Sequence, residues 1–250
     1  ADLFNAGYIV PPIMLNAAKG LGKTAFAKEF HVATKKGERK FIEINCGSIR
    51  NAEQFFEQVF MPQIAGKEVT VLFDECHSLP KDLTDVFLTA FNVEGAKQKE
   101  VSIGDGFVTF EFNKQIYLFA TTELHKLFAP LKDRLTIVDF NQYTELELAK
   151  IMTAKVDWIK YDHGVLENIV HTVRGNARSA IKRVLQIQSW CELNHISKMC
   201  HKEWGKMKSK FGILPFGLTS VEIQILRALN KRGSCSLQML STITGMSRQA

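Results

Sequence analysis

The spacing of apolar and polar positions divides the chain into two halves of different character. Through residue 140, short apolar runs alternate with stretches of helical spacing. Ile13-Met14-Leu15 is the first run, followed by a helix-forming stretch, Ala25 to Thr34, that Lys35-Lys36-Gly37 ends. Phe41 to Asn45 alternates as a strand does. Asn51 with Gln54 makes a helix-start signature ahead of Phe55, Phe56, Val59 and Phe60. Val69 to Phe73 is short and nearly continuous in its apolarity, as a strand buried on both faces requires, and Ile116 to Ala120 repeats the pattern. Leu83 to Phe91 reads as a helix between those two, and Thr136 to Phe140 as a fifth strand. Strands alternating with helices predict an α/β fold, with a parallel sheet covered on both faces. One stretch differs in kind. Val101 to Phe112 carries Asp105-Gly106 between two alternating segments, the strongest short-range signal of a β-hairpin.

From Tyr143 onward the pattern is helical only. Thr144 and Glu147 predict a capping box for the helix ELELAKIMTAK, and Asp162 is the expected cap of HGVLENIVHTVR. Gly175-Asn176 separates that helix from ARSAIKRVLQIQSWCEL, and CHKEWGKMKSKF follows. After a break at Pro215-Phe216-Gly217, Thr219 and Glu222 cap SVEIQILRALNKRG, and CSLQMLSTITG comes next, with a third helix expected to begin at Met246-Ser247. This end resembles a helix-turn-helix or winged-helix unit cut off before its wing. The expected organisation is an α/β base over 1–140, a helical domain over 141–213 and an incomplete winged helix over 214–250.

Composition narrows the setting. A chain of 250 residues is longer than one average domain and has ample apolar content for a core and a smaller second unit. Its net charge of +6 leans towards an anionic partner. No apolar run approaches the length needed to span a bilayer, and Ala1 to Gly7 does not read as a secretory signal. Five scattered cysteines, an odd number without a framework, suit a reducing compartment, so a cytoplasmic location is expected. The absence of an initial Met and the ending at Ser247-Arg248-Gln249-Ala250 read as a piece of a longer protein.

The chemistry begins at Pro11 to Thr24, PPIMLNAAKGLGKT. A strand, a small-residue loop and a helix in that order form a phosphate-binding loop. Gly20 and Gly22 let backbone N–H groups turn towards phosphate oxygens, and the helix start adds its own N–H groups and positive dipole end. Gly20, Leu21, Gly22, Lys23, Thr24 and Ala25 are the expected binding residues. Lys23 reaches the terminal phosphates, and the Thr24 hydroxyl is placed to ligate Mg²⁺. Ala17 stands where the pattern G-x-x-x-x-G-K-[ST] has its first Gly. Asp74 and Glu75 follow a buried strand, the position where ligands bind in open α/β sheets. Asp74 is expected to hold Mg²⁺ through water and Glu75 to polarise the attacking water. Thr122, ending the next strand, can orient that water. Arg134 in PLKDRL points away from its own chain's site, so its expected use is in trans, on a neighbouring subunit's nucleotide. Arg178 opens the helix after Gly175-Asn176 and can reach the γ-phosphate from the helical domain.

Together these parts resemble an AAA+ ATPase and, more narrowly, the RuvB family of Holliday-junction branch-migration motors. The likeness rests on GLGKT at 20–24, D-E-x-H-x-L at 74–79, the VSIG hairpin before Ala120-Thr121-Thr122, and PLKDRL at 130–135. Y-T-x-x-E-L at 143–148 and G-x-x-R at 175–178 extend it over nearly the whole chain. The resemblance implies ATP and Mg²⁺, with Thr122 as sensor 1, Arg134 as arginine finger and Arg178 as sensor 2. It implies that Tyr143 lies near the adenine, beside Tyr8 and Ile9. It also implies a homo-oligomeric ring, a hexamer, that translocates duplex or branched DNA, and a RuvA-like adaptor meeting the 101–112 hairpin. Ala17 and Lys19 depart from this family's loop, and the hairpin tip is short for it. A clamp-loader or helicase-loader ATPase acting as a nucleotide switch is the alternative reading.

Other patterns carry less. Asp74-Glu75-Cys76-His77 also spells a DExH box, but a superfamily-2 helicase needs two RecA-like domains and a Q-x-x-G-R-x-x-R element that the sequence lacks. Cys191, His195, Cys200 and His201 lack the spacing of zinc sites. Lys198, Lys202, Lys206, Lys208 and Lys210, with Arg183, form either a face for DNA phosphates or a solvated helix.

Overall fold

The computed structural model describes residues 1–34, 39–92, 96–104 and 106–246. Lys35-Lys36-Gly37, the turn residue Asp105, and the helix start at Ser247 fall outside them. The chain divides into two compact units, Ala1–Asn141 and Gln142–Ala250.

In the first unit, α1 (Asp2–Asn5) precedes β1 (Ile13–Asn16), α2 (Lys23–Ala33) and β2 (Lys40–Asn45). Next come α3 (Ala52–Phe55), β3 (Val69–Asp74), α4 (Lys81–Ala90), β4 (Gln98–Ile103), β5 (Gly106–Glu111), β6 (Gln115–Thr121), α5 (Ala129–Lys132) and β7 (Thr136–Asp139). Five strands form one sheet in the order β2-β3-β6-β1-β7, every neighbouring pair parallel. All seven residues of β6 and the first five of β3 are buried, which is why both runs lack a polar face. The C-terminal ends of β3, β6 and β1 are therefore neighbours along one edge of the sheet. Two strand spacings, about 10 Å, separate the outer pair.

One sheet face is lined by aromatic rings. Phe73 stacks on Phe119 at 4.9 Å between centroids, and Phe55, Phe60, Phe87, Phe91 and Phe110 close around them. Each such buried ring contributes on the order of 1.5–3 kcal/mol by leaving water. The antiparallel hairpin of β4 and β5 joins this core through Val101 and Phe110, whereas Phe107 near its tip is exposed. The hairpin starts at Gln98, three residues before the stretch its alternation marks. Asn51 caps α3 as expected, accepting from the Gln54 amide, but α3 runs on as a π-helix over Phe56–Ile64 that contains Pro62.

The second unit contains α6 (Glu145–Lys155), β8 (Lys160–Tyr161), α7 (Val165–Val170), α8 (Ala177–Leu193), β9 (Lys198–Met199), α9 (His201–Phe211), α10 (Ser220–Arg232) and α11 (Leu237–Thr244). Leu148, Met152, Val165, Ile169, Val184, Trp190 and Trp204 belong to its core. The capping boxes at Thr144/Glu147 and Thr219/Glu222 are both formed. Two expectations are corrected. The region is not purely helical, because β8 and β9 pair in parallel. Asp162 is not a helix cap either: Gly164 takes that position in a left-handed conformation, and the Asp162 carboxylate is engaged by Lys198. α10 and α11 have no buried residue, and neither contributes to the core clusters. Among the described residues no single helix is long and apolar enough to cross a membrane.

Candidate nucleotide site

The site is built at the strand ends of the first unit. β1 emerges between β6 and β7, and the Ala17 amide donates to the Thr121 carbonyl at 3.3 Å, tying the loop to the end of β6. Gly20 and Gly22 have φ of +86° and +90°, a region that residues with a Cβ rarely adopt. Ala17 has no positive φ and is buried, so the position occupied by Ala makes no demand for glycine. Gly22 is also the N-cap of α2. No side chain caps that helix and no acidic residue lies in its first turn, an arrangement that suits phosphate oxygens. The Lys23 side chain is buried, and its Nζ donates to the carbonyls of Ala17 at 2.8 Å and Ala18 at 3.5 Å. The ammonium is thereby held at the centre of the loop.

Asp74 ends β3 and Glu75 follows it. Asp74 accepts from the Glu75 amide at 3.1 Å. Burial pushes the Asp74 carboxylate above its ordinary range, against that hydrogen bond; the Glu75 charge adds to the rise and Lys23 opposes it. Glu75 adopts φ of +52° and ψ of +48°, left-handed for a residue with a full side chain. This turn points the chain away from the strand and begins a 3₁₀ turn at Cys76–Ser78. Thr122 Oγ1 donates to Glu75 Oε2 at 3.0 Å.

The donor set suits Mg²⁺. The Thr24 hydroxyl and the Asp74 carboxylate are hard oxygens, and among the described residues no group of three or more His, Cys, Asp and Glu side chains is placed to hold a metal. An ion that keeps several waters and shares substrate phosphates is the one such a sparse site serves. The Cys191, His195, Cys200 and His201 grouping likewise forms no metal cluster.

The remaining sequence-marked residues lie within their own units. Ile9 packs against the aromatic core, and Tyr8 is exposed. Ala25 is exposed on the first turn of α2, and Leu21 is buried in the loop. Arg134 Nη1 donates to the Pro130 carbonyl at 2.6 Å, folding the side chain onto its own short helix. Tyr143 and Arg178 belong to the second unit: Tyr143 packs against that unit's core, and Arg178 is exposed on the first turn of α8. The lysine-rich stretch is partly neutralised, with Lys198 on Asp162 and Lys206 on Glu203. Lys208 and Lys210 lie over the rings of Trp204 and Trp190.

Sequence reasoning passed over one neighbour of Glu75. His77 contacts Thr121, Glu75 and Glu123, and its only signal was the D-E-x-H spacing.

The sequence matches the family described as ATPase family associated with various cellular activities (AAA) over residues 13–143. The chain belongs to the AAA family. The match takes in the phosphate loop, Asp74, Glu75, Thr122 and Arg134, so nucleotide binding and ATP hydrolysis are this AAA chain's chemistry. Beyond that domain, it is 27% identical over 237 residues to the Holliday junction branch migration complex subunit RuvB of Wolbachia sp. subsp. Brugia malayi (strain TRS), covering 92% of this chain and 70% of the relative. The RuvB of Mycoplasma genitalium is 25% identical over 245 residues, covering 94% and 75%. Lon protease 1 of Bacillus subtilis, by contrast, matches over 157 residues, 57% of this chain and 20% of that one. The solved structure of the Thermotoga maritima RuvB Holliday junction branch migration motor shares the fold, with a TM-score of 0.76 at 18% identity, covering 99% of this chain and 78% of that one. This AAA protein is thus a divergent homologue of RuvB.

Proposed function

We propose that the chain is an ATP-driven DNA motor of the RuvB type that drives branch migration of Holliday junctions. The observation that carries this reading is the extent of the likeness to RuvB, 92% of the chain, when the likeness to Lon protease covers 57%. The helical second unit, and not only the ATPase domain, therefore follows RuvB. The positive charge of +6, and a cleft of about 650 Å³ in the second unit lined in part by Arg174, Lys182 and Arg183, support a polyanionic partner.

In this reading the loop amides and Lys23 bind the phosphates of ATP. Thr24 and Asp74 are the residues that would hold Mg²⁺, which when bound neutralises charge on the β- and γ-phosphates. Glu75 orients the attacking water and accepts its proton on a carboxylate oxygen, and Thr122 fixes that carboxylate. Arg134 leaves the Pro130 carbonyl to stabilise charge at the site of an adjacent subunit, and Arg178 serves from the helical unit. Tyr8, Ile9 and Tyr143 border the adenine. The chain functions as three parts, an ATPase base (1–140), a helical lid (141–213) and the winged-helix portion (214–250), assembled into a cytoplasmic homohexameric ring around duplex DNA. The β4–β5 hairpin offers a RuvA-like adaptor its exposed tip.

The test is ATP-dependent branch migration of a synthetic four-way junction, with and without added adaptor. Processive strand exchange is the expected result. A single ATP-dependent hand-off of a second protein onto DNA, without strand exchange, would replace the motor by a loader.

A further inference from the structure

The carboxylate of Glu75 is not held by Thr122 alone. The left-handed backbone at Glu75 and the 3₁₀ turn after it fold His77 back towards the strand ends. His77 Nδ1 lies 3.4 Å from Glu75 Oε2 and 2.9 Å from Thr121 Oγ1. Its other nitrogen, Nε2, lies 3.2 Å from Glu123 Oε2. Glu123 is fixed in turn: its amide donates to Thr121 Oγ1 at 3.0 Å, and its Oε1 pairs with Lys126 at 2.6 Å. The ring is only 15% exposed. Thr121, Thr122 and Glu123, three consecutive residues at the end of β6, thus converge on two residues at the end of β3.

We propose that His77 is a positioning residue for Glu75, anchored by Glu123. This rests on the reading of Glu75 as the residue that activates water. His77 and Thr122 both approach Oε2, so the carboxylate is held through one oxygen and its Oε1 is the one presented to water. A base oriented by a second group, itself oriented by a third, is the arrangement that keeps a reactive side chain in one rotamer. Partners of this kind affect the held group by factors of about 10–100 when removed. Because β3 and β6 pair directly, the network also obliges the base and the strand carrying Thr122 to move together.

Side-chain shape separates this role from simple packing. Asn at position 77 places its amide nitrogen where Nδ1 lies and can reach Glu75 but not Glu123. Gln places its amide nitrogen nearer Nε2 and reaches Glu123 but not Glu75. The experiment measures steady-state ATP hydrolysis, binding of a non-hydrolysable ATP analogue, and thermal midpoints for the whole chain carrying His77→Ala, His77→Asn, His77→Gln or Glu123→Ala. His77→Ala and His77→Gln should lower kcat about 10–100-fold with analogue affinity unchanged. His77→Asn should retain most of the turnover. Glu123→Ala should lower kcat less than His77→Ala, and should have no further effect when combined with it. Full turnover by His77→Ala overturns the proposal, as does equal loss by Asn and Gln with a lowered thermal midpoint. Glu75→Gln run in parallel keeps the two readings distinct. If that variant still hydrolyses ATP, the assignment of Glu75 fails; if it is inactive while His77→Ala is fully active, only the role of His77 fails.

Discussion

Thr122 Oγ1 and Glu75 Oε2 lie 3.0 Å apart and join the C-terminal ends of two neighbouring strands. A hydroxyl has one proton to donate, and here the carboxylate takes it. Removing the hydroxyl leaves the carboxylate with one fewer constraint but keeps its charge and the binding loop. Thr122→Val is therefore expected to lower kcat about 10–100-fold, with ATP-analogue affinity unchanged and Thr122→Ser close to the parent. Glu75→Gln should bind ATP and fail to turn it over, a loss of about 100-fold or more. Steady-state hydrolysis and analogue titration check both.

Asp74 sits where burial disfavours its charge. An acid whose folded-state pKa is raised holds its proton more tightly folded than unfolded, so it costs stability once the pH climbs above the ordinary carboxylate range. Asp74→Asn removes that cost and should raise the thermal midpoint of the nucleotide-free protein at neutral pH while abolishing hydrolysis. The gain should shrink as the pH falls into the carboxylate range, where both forms are uncharged. Thermal scans across pH check this. A site that is more stable without its functional acid is the expected exchange between stability and activity.

The phosphate loop makes opposite demands at its two ends. Gly22 has φ of +90°, so Gly22→Ala should cost about 1–2 kcal/mol in backbone strain and weaken ATP-analogue binding. Ala17 has no such conformation. Restoring glycine there by Ala17→Gly should give no gain in affinity, and should cost about 0.4–1 kcal/mol through the freer unfolded chain. Denaturant midpoints and analogue titration separate the two.

Arg134 is folded onto the Pro130 carbonyl within its own chain. If it acts on an adjacent subunit, Arg134→Ala should lose about 10³-fold or more in hydrolysis while still binding nucleotide. Mixing it with Glu75→Gln subunits should restore part of the activity, because some interfaces then carry both an intact Arg134 and an intact Glu75. Mixed-subunit ATPase titration reads this directly.

The strands of the sheet were legible because β3 and β6 are buried along nearly their whole length, which imposes short, nearly continuous apolar runs between helix-spaced stretches. Capping at Thr144 and Thr219 was legible for a different reason: it is chemistry between residues three apart. What escaped was everything set by distant pairing. β8 and β9 are two residues each and pair across a helix pair, so no local pattern marks them. The π-register at Phe56–Ile64 leaves the apolar spacing helix-like, with only Pro62 as a trace. At the site, the residue types at 23, 24, 74, 75 and 122 could be chosen from motif spacing. The links from His77 to Glu123 and from Thr122 to Glu75 depend on β3 lying beside β6, a strand order that no single motif encodes.

The hairpin of β4 and β5 lays one face on the aromatic core, through Val101, Ile103, Val108 and Phe110, and turns Phe107 to the other. Phe110 touches Phe87 and Phe91, which touch Phe119, whose strand ends at Thr121. Substitutions at Val101, Ile103, Val108 or Phe110 thus disturb packing that reaches the strand ending at Thr121, while those at exposed Phe107 do not. One ribbon thus couples a packing demand on its inner face to latitude on its outer face.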